Sequence, residues 1–193
     1  MVANMSPRVG GGRDYDTPPS DARASTVTHP EDTPMTALAT GPSPTEQDLA
    51  PERTLATARV LTALPEQVYA AFISSERLAR WWGPKGFRNT FQVFEPRPGG
   101  TWRFVMHGPN GANYPNDSMF ETLVPGERIV IRHLSSPRFT LTVTLAAEGA
   151  GTRLTWRQSF DSASECEAMR RFAVGANEEN LDRLESELAG TSP

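Results

Sequence analysis

Arg138-Phe139-Thr140-Leu141-Thr142-Val143-Thr144-Leu145 (RFTLTVTL) is the stretch whose reading decides the fold. Successive side chains of a strand point to opposite faces, so Phe139, Leu141, Val143 and Leu145 share one side and Thr140, Thr142 and Thr144 the other. One apolar face and one hydroxyl-bearing face predict an antiparallel strand with one side in water.

The same alternation continues outward in both directions. Downstream, Glu148–Gly151 turns and Thr152–Phe160 returns, with Leu154, Trp156, Gln158 and Phe160 opposite Arg153, Thr155, Arg157 and Ser159. Upstream, Arg128–Leu134 is a strand that ends at Ser135–Pro137, and Ser118–Val124 is closed by Pro125-Gly126. Thr101–His107 sets Trp102, Phe104 and Met106 against Arg103, Val105 and His107, and Thr90–Glu95 precedes it. Pro96–Gly100 and Gly108–Gly111 supply the turns, Asn110-Gly111 being a hairpin signal. Farther back, Thr54–Leu61 reads as a first strand.

Helix signals flank this region. Pro65 suits a first helical position, and Val68, Tyr69 and Phe72 give the short helix after it an apolar stripe. Ser74-Ser75 caps a second through Leu78, Trp81 and Trp82, which Gly83-Pro84 stops. After the last strand, Ser162-x-x-Glu165 is a capping box. Cys166, Met169, Phe172-Ala173, Ala176, Leu181, Leu184 and Leu188 then recur at helical spacing. About 25 residues at 1.5 Å each make a helix of roughly 38 Å. The predicted fold class is α+β: a curved seven-stranded antiparallel sheet around a long C-terminal helix, with two short helices after the first strand.

Composition divides the 193-residue chain. Residues 1–50 hold seven of the 17 prolines and one aromatic, Tyr15, with seven acids against three arginines. The net charge of −4 therefore resides in that quarter. A segment so poor in large apolar groups does not offset the entropy of ordering its backbone, and it reads as a Pro-rich, acidic, disordered extension. Residues 51–190 read as one folded domain, long enough to bury a sizeable core. A charge-balanced domain gives no reason to expect nucleic acid as partner. The longest apolar runs fall short of the ~20 residues that span a bilayer. With no basic n-region and apolar core at the start, and a single cysteine, Cys166, the expectation is a cytoplasmic protein without a disulfide framework.

Five motifs in order then carry a resemblance. They are Pro65–Phe72 (PEQVYAAF), Leu78–Pro84 (LARWWGP), Pro98–Trp102 (PGGTW), Gly151–Trp156 (GTRLTW) and Asn180–Leu184 (NLDRL). With them the chain resembles the helix-grip fold of the START-related SRPBCC superfamily. Within it, the chain is similar to the family named after the C-terminal domain of the activator of the 90-kDa heat-shock-protein ATPase. The resemblance covers about residues 52–189 and implies a deep cavity between sheet and helix, which related families use for apolar ligands. None of the motifs is a catalytic signature.

On that expectation Trp81, Phe104, Tyr114, His133, Trp156 and Phe172 are candidate lining residues, with Gln158 and Arg132 as polar anchors. His133 shares strand parity with Ile129 and Ile131, and Arg132 with Val130 and Leu134; parity alone leaves open which set faces inward. His107 is expected near the cavity mouth. Glu121 is a candidate inward carboxylate paired to Arg132 or Arg103, and Asp117 shares its parity about 13 Å away. Cys166 reads as a small buried hydrophobe, and zinc-type ligand spacing is absent. No metal or cofactor is expected. The leading functional expectation is a non-enzymatic domain that binds an apolar or amphipathic small molecule. The alternatives are an activator of a heat-shock ATPase, hence a chaperone partner, and a polyketide cyclase- or hydrolase-type enzyme using His133 or Glu121.

Overall fold

The structure, a computed structural model, describes residues 50–190. The expected disordered extension lies, apart from Ala50, outside the described residues. A 3-10 turn, Pro51–Arg53, leads into β1 (Thr54–Leu61), α1 (Pro65–Phe72) and α2 (Ser75–Trp81). Then come β2 (Arg88–Phe94), β3 (Thr101–His107), β4 (Asn113–Val124), β5 (Arg128–His133), β6 (Phe139–Glu148), β7 (Gly151–Phe160) and α3 (Ala163–Leu188). The strands form one seven-stranded sheet, ordered β1-β7-β6-β5-β4-β3-β2, in which every pair is antiparallel. The first strand therefore pairs with the last, Thr57 opposite Trp156, and the intervening hairpins extend the sheet to β2.

Local chemistry sets the helix starts. The Leu64 N–H donates to the Gln67 side chain ahead of Pro65, and Ser74 Oγ accepts from the Arg77 N–H. Ser162 Oγ accepts from the Glu165 N–H at 3.2 Å and donates to the Glu165 carboxylate at 3.0 Å. Here the glutamate reaches the cap hydroxyl rather than the cap N–H. β4 begins five residues before the expected Ser118. Asn113–Asp117 lack apolar alternation, yet they pair in register with His107–Arg103 of β3. An existing strand edge satisfies their backbone groups whatever their side chains are.

The inner face of the sheet presents Trp102, Phe120, Ile129, Leu141, Val143, Leu154 and Trp156, packed with Phe72, Leu78, Trp81, Leu181 and Leu184. Polar groups clamp α3 over this core. Arg59 of β1 reaches Glu178 at 2.7 Å, Asp182 at 2.5 Å and Glu185 at 3.3 Å. Glu187 takes Arg77 at 2.9 Å and Arg80 at 2.7 Å. The end of α2 is joined to α3 as well. Gly83, at φ +98°, donates its N–H to Asn180 Oδ1 at 2.6 Å, while the Arg183 guanidinium donates to the carbonyls of Arg80, Gly83 and Pro84. A helix leaves its last carbonyls without partners, and a cation there satisfies them. Among the described residues no helix is long and apolar enough to cross a membrane.

Candidate ligand-binding site

A cavity of about 450 Å³ lies between the sheet and α3, which lines it from Met169 to Asn180. Its sheet wall is Phe104 of β3, Tyr114, Asn116 and Ser118 of β4, Ile131 and His133 of β5, Phe139 and Leu141 of β6, and Trp156 and Gln158 of β7. Met169, Phe172, Ala173, Ala176, Asn177 and Asn180 roof it from α3, and Trp82-Gly83-Pro84 closes one end. The roof is thin where Ala173 and Ala176 stand, and this is what leaves the space. Phe104, Trp156 and Gln158 are buried, whereas Tyr114 is 46% and Phe172 62% exposed, which marks the mouth.

Six of the eight expected residues thus come together on the wall: Phe104, Tyr114, His133, Trp156, Gln158 and Phe172. Two do not. Trp81 is fully buried behind the wall, its indole N–H donating to the Ala71 carbonyl and its ring edge-on to Phe72 at 4.8 Å. Its neighbour Trp82, beyond the last turn of α2, takes the lining place and packs on Trp102 and Trp156 at 4.9 and 5.5 Å. Arg132 faces the other side of the sheet, donating to Thr140 Oγ1 and to both Asp161 oxygens. The parity of β5 is therefore settled with Ile129, Ile131 and His133 inward.

The carboxylate expectation is corrected too. Pairing of β4 with β5 slips between Phe120 and Thr122, so Glu121 is the bulged residue and is exposed. Buried Ser118 and Phe120 already put Glu121 on the outer parity, and the extra residue shifts the alternation only beyond it. Arg103 pairs instead with Asp117 at 2.6 Å on the outer face, and Arg132 with Asp161. His107 is not at the mouth. It bridges Thr90 and Asn113 on the adjoining strands.

His133 is held rigidly. Its ring stacks on Phe139 at 4.6 Å, Nδ1 meets the Pro137 carbonyl at 2.9 Å, and Nε2 meets the Asn116 side-chain amide at 2.9 Å. A carbonyl only accepts, so Nδ1 donates to Pro137. Burial pushes the imidazole below the usual histidine range, the contacts to Pro137 and Ser135 offsetting part of that. Both ring nitrogens are engaged by protein, which leaves no lone pair aimed at a bound molecule.

Sequence reasoning passed over Trp82, Asn116, Asn177 and Asn180. The two α3 asparagines stand on the same helical stripe as Ala173, Leu181 and Leu184, and both are buried. Their spacing was the available signal. Asn177 Nδ2 donates to Gln158 Oε1 at 2.8 Å on the cavity lining. Cys166 packs with Leu55, Phe160 and Ala173, and burial pushes its thiol up. Among the described residues no cluster of His, Cys, Asp and Glu could hold a metal ion.

A curved sheet gripping one long helix over a lined cavity defines an α+β protein of the helix-grip, SRPBCC class. The chain belongs to the family described as Activator of Hsp90 ATPase homolog 1-like protein, which matches residues 62–189. Solved structures share the fold. One, from Chromobacterium violaceum, is 28% identical with a TM-score of 0.64, over 72% of this chain and 98% of that one. Another, from Rhodobacter sphaeroides, is 28% identical with a TM-score of 0.66, over 74% and 97%. A third, from Nitrosomonas europaea, superposes with a TM-score of 0.67 at 22% identity, over 72% and 96%, and shows the fold alone. No curated protein matches the chain.

Proposed function

We propose that the domain binds an apolar or amphipathic small molecule in the cavity between sheet and α3. The observation that carries this reading is the cavity itself, about 450 Å³ with an aromatic mouth and a mostly apolar wall. That size and lining match the usual small-molecule site. Phe104, Trp156 and Tyr114 supply apolar contact, Gln158 the polar anchor, and His133 a fixed part of the wall. Thermal-shift and native mass-spectrometry screens against lipids, flavonoids and polyketides test it, with a bound mass and a raised Tm as the expected result. Ala176→Phe fills the space from the roof and should abolish that binding while the fold persists. A screen without any adduct, or adducts unaffected by Ala176→Phe, overturns the reading.

The family match favours a second reading, stimulation of a heat-shock ATPase. It requires a rise in ATP turnover on adding this protein to the purified ATPase, and no rise removes it. A reducing, cytoplasmic setting belongs to the same proposal and rests on the single buried cysteine.

A further inference from the structure

The cavity is not uniformly apolar, and its one inward amide pair is incompletely used. Gln158 and Asn177 are 8% and 6% exposed, and a single hydrogen bond joins them. A carboxamide carries two donors and an acceptor with two lone pairs. Among the described residues Asn177 Oδ1 and Gln158 Nε2 have no other protein partner. Turning both amides over exchanges the roles and leaves the same remainder, one donor beside one acceptor. Neither of these two atoms is among the buried side-chain polar atoms without a partner, so both are open to the cavity and available to a bound molecule. Both residues line the open space rather than a closed core.

The wall constrains the ligand's charge as well. No Lys, Arg, Asp or Glu is among its lining residues, and burial pushes the His133 imidazole below the usual histidine range. An ionised head would be buried without a counter-charge, which is costly.

Building on the ligand-binding reading, we propose that Gln158 and Asn177 read a neutral edge carrying a hydrogen-bond donor beside an acceptor. A lactam, or another cis secondary amide on an apolar body, has that edge. The amide pair joins β7 to α3 on the cavity lining, whereas Tyr114 and Phe172 are its exposed residues. With that edge on Gln158 and Asn177, the ligand's apolar body lies against Phe104 and Trp156.

Four bicyclic probes of similar shape test this by NMR titration of the full chain, read at backbone and side-chain amides. They are 2-quinolinone, N-methyl-2-quinolinone, naphthalene and 2-naphthoate. The expected result is that 2-quinolinone binds at least about tenfold tighter than each of the others, with the Gln158 and Asn177 side-chain signals moving. Gln158→Met and Asn177→Leu should each bring 2-quinolinone down to the level of its N-methyl analogue. Equal binding of the two quinolinones to the unmodified protein overturns the inference, whatever the variants do. If naphthalene binds in that outcome, the cavity reading survives alone. If neither naphthalene nor 2-quinolinone binds, both are lost. Preference for 2-naphthoate overturns the neutral-edge assignment.

Discussion

Between Asn177 and Leu188, α3 buries Leu181 and Leu184 completely and carries the ion pairs to Arg59, Arg77 and Arg80. Between Ala163 and Ala176 the same helix buries only Cys166 and Ala173, and leaves Phe172 and Val174 more than half exposed. One half is an anchor and the other a roof. A helix held at one end can cross an unfilled space at the other, because the anchor supplies the burial that the roof gives up. Most of the apolar burial and the thinnest part of the roof are thereby placed in different halves of one element, with Asn177 and Asn180 serving both, and substitutions should separate the two roles.

The widest separation is expected from side-chain truncation. Leu184→Ala should cost about 2–5 kcal/mol, as burial and a cavity are both lost, whereas Phe172→Ala should cost less than about 1 kcal/mol. Urea unfolding of the two variants measures this, and equal losses would end the distinction between anchor and roof. Asn180→Ala comes next. It leaves the buried Gly83 N–H without its acceptor and should cost about 1–3 kcal/mol, with α2 amides exchanging faster.

Acid should act on the two halves in different windows. In the anchor, the hydrogen bond from Arg80, aided by Arg77, holds the Glu187 carboxyl below the usual range against its burial. A depressed carboxylate contributes stability that is complete above its unfolded value, about 4.3, and is lost as pH falls through the lower folded value. Glu187→Gln should therefore lower Tm at pH 7 by less than Asn180→Ala does, and the difference should vanish at strongly acid pH. In the roofed half, the smallest effect is expected from His133, whose folded value burial lowers. Between that value and about 6.5 the unfolded state binds more protons, so stability falls as pH drops through this window. His133→Gln should flatten the dependence of Tm there. An unchanged slope in that variant would place the acid sensitivity elsewhere.

The strands from Thr101 onward and the capped starts of all three helices were legible in the chain because their signals are local. A period of two or of 3.6, a Ser74 or a Ser162, and a Gly83-Pro84 stop need no partner to be read. The start of β4 was not legible, because Asn113–Asp117 are strand only by pairing with β3. Glu121 misled for a related reason: which parity of β4 faces inward is set by its partners, and with Ser118 and Phe120 buried the glutamate next to Phe120 is exposed. Asn177 and Asn180 had the right spacing for the inner stripe, but a polar side chain on a helix reads as solvent-facing until something across the gap, here Gln158 and Gly83, is known to meet it.

The sequence by itself determined which residues share a face on each strand, where the helices begin, and the family to which this order of motifs belongs. Only the tertiary structure decided which face is inside. It put His133 on the cavity and Arg132 on Asp161, Trp82 on the wall and Trp81 behind it. The physical reason is range. Periodicity and capping act over a few residues, whereas inside and outside are set by β1 closing on β7 and by α3 settling across strands far away in the chain.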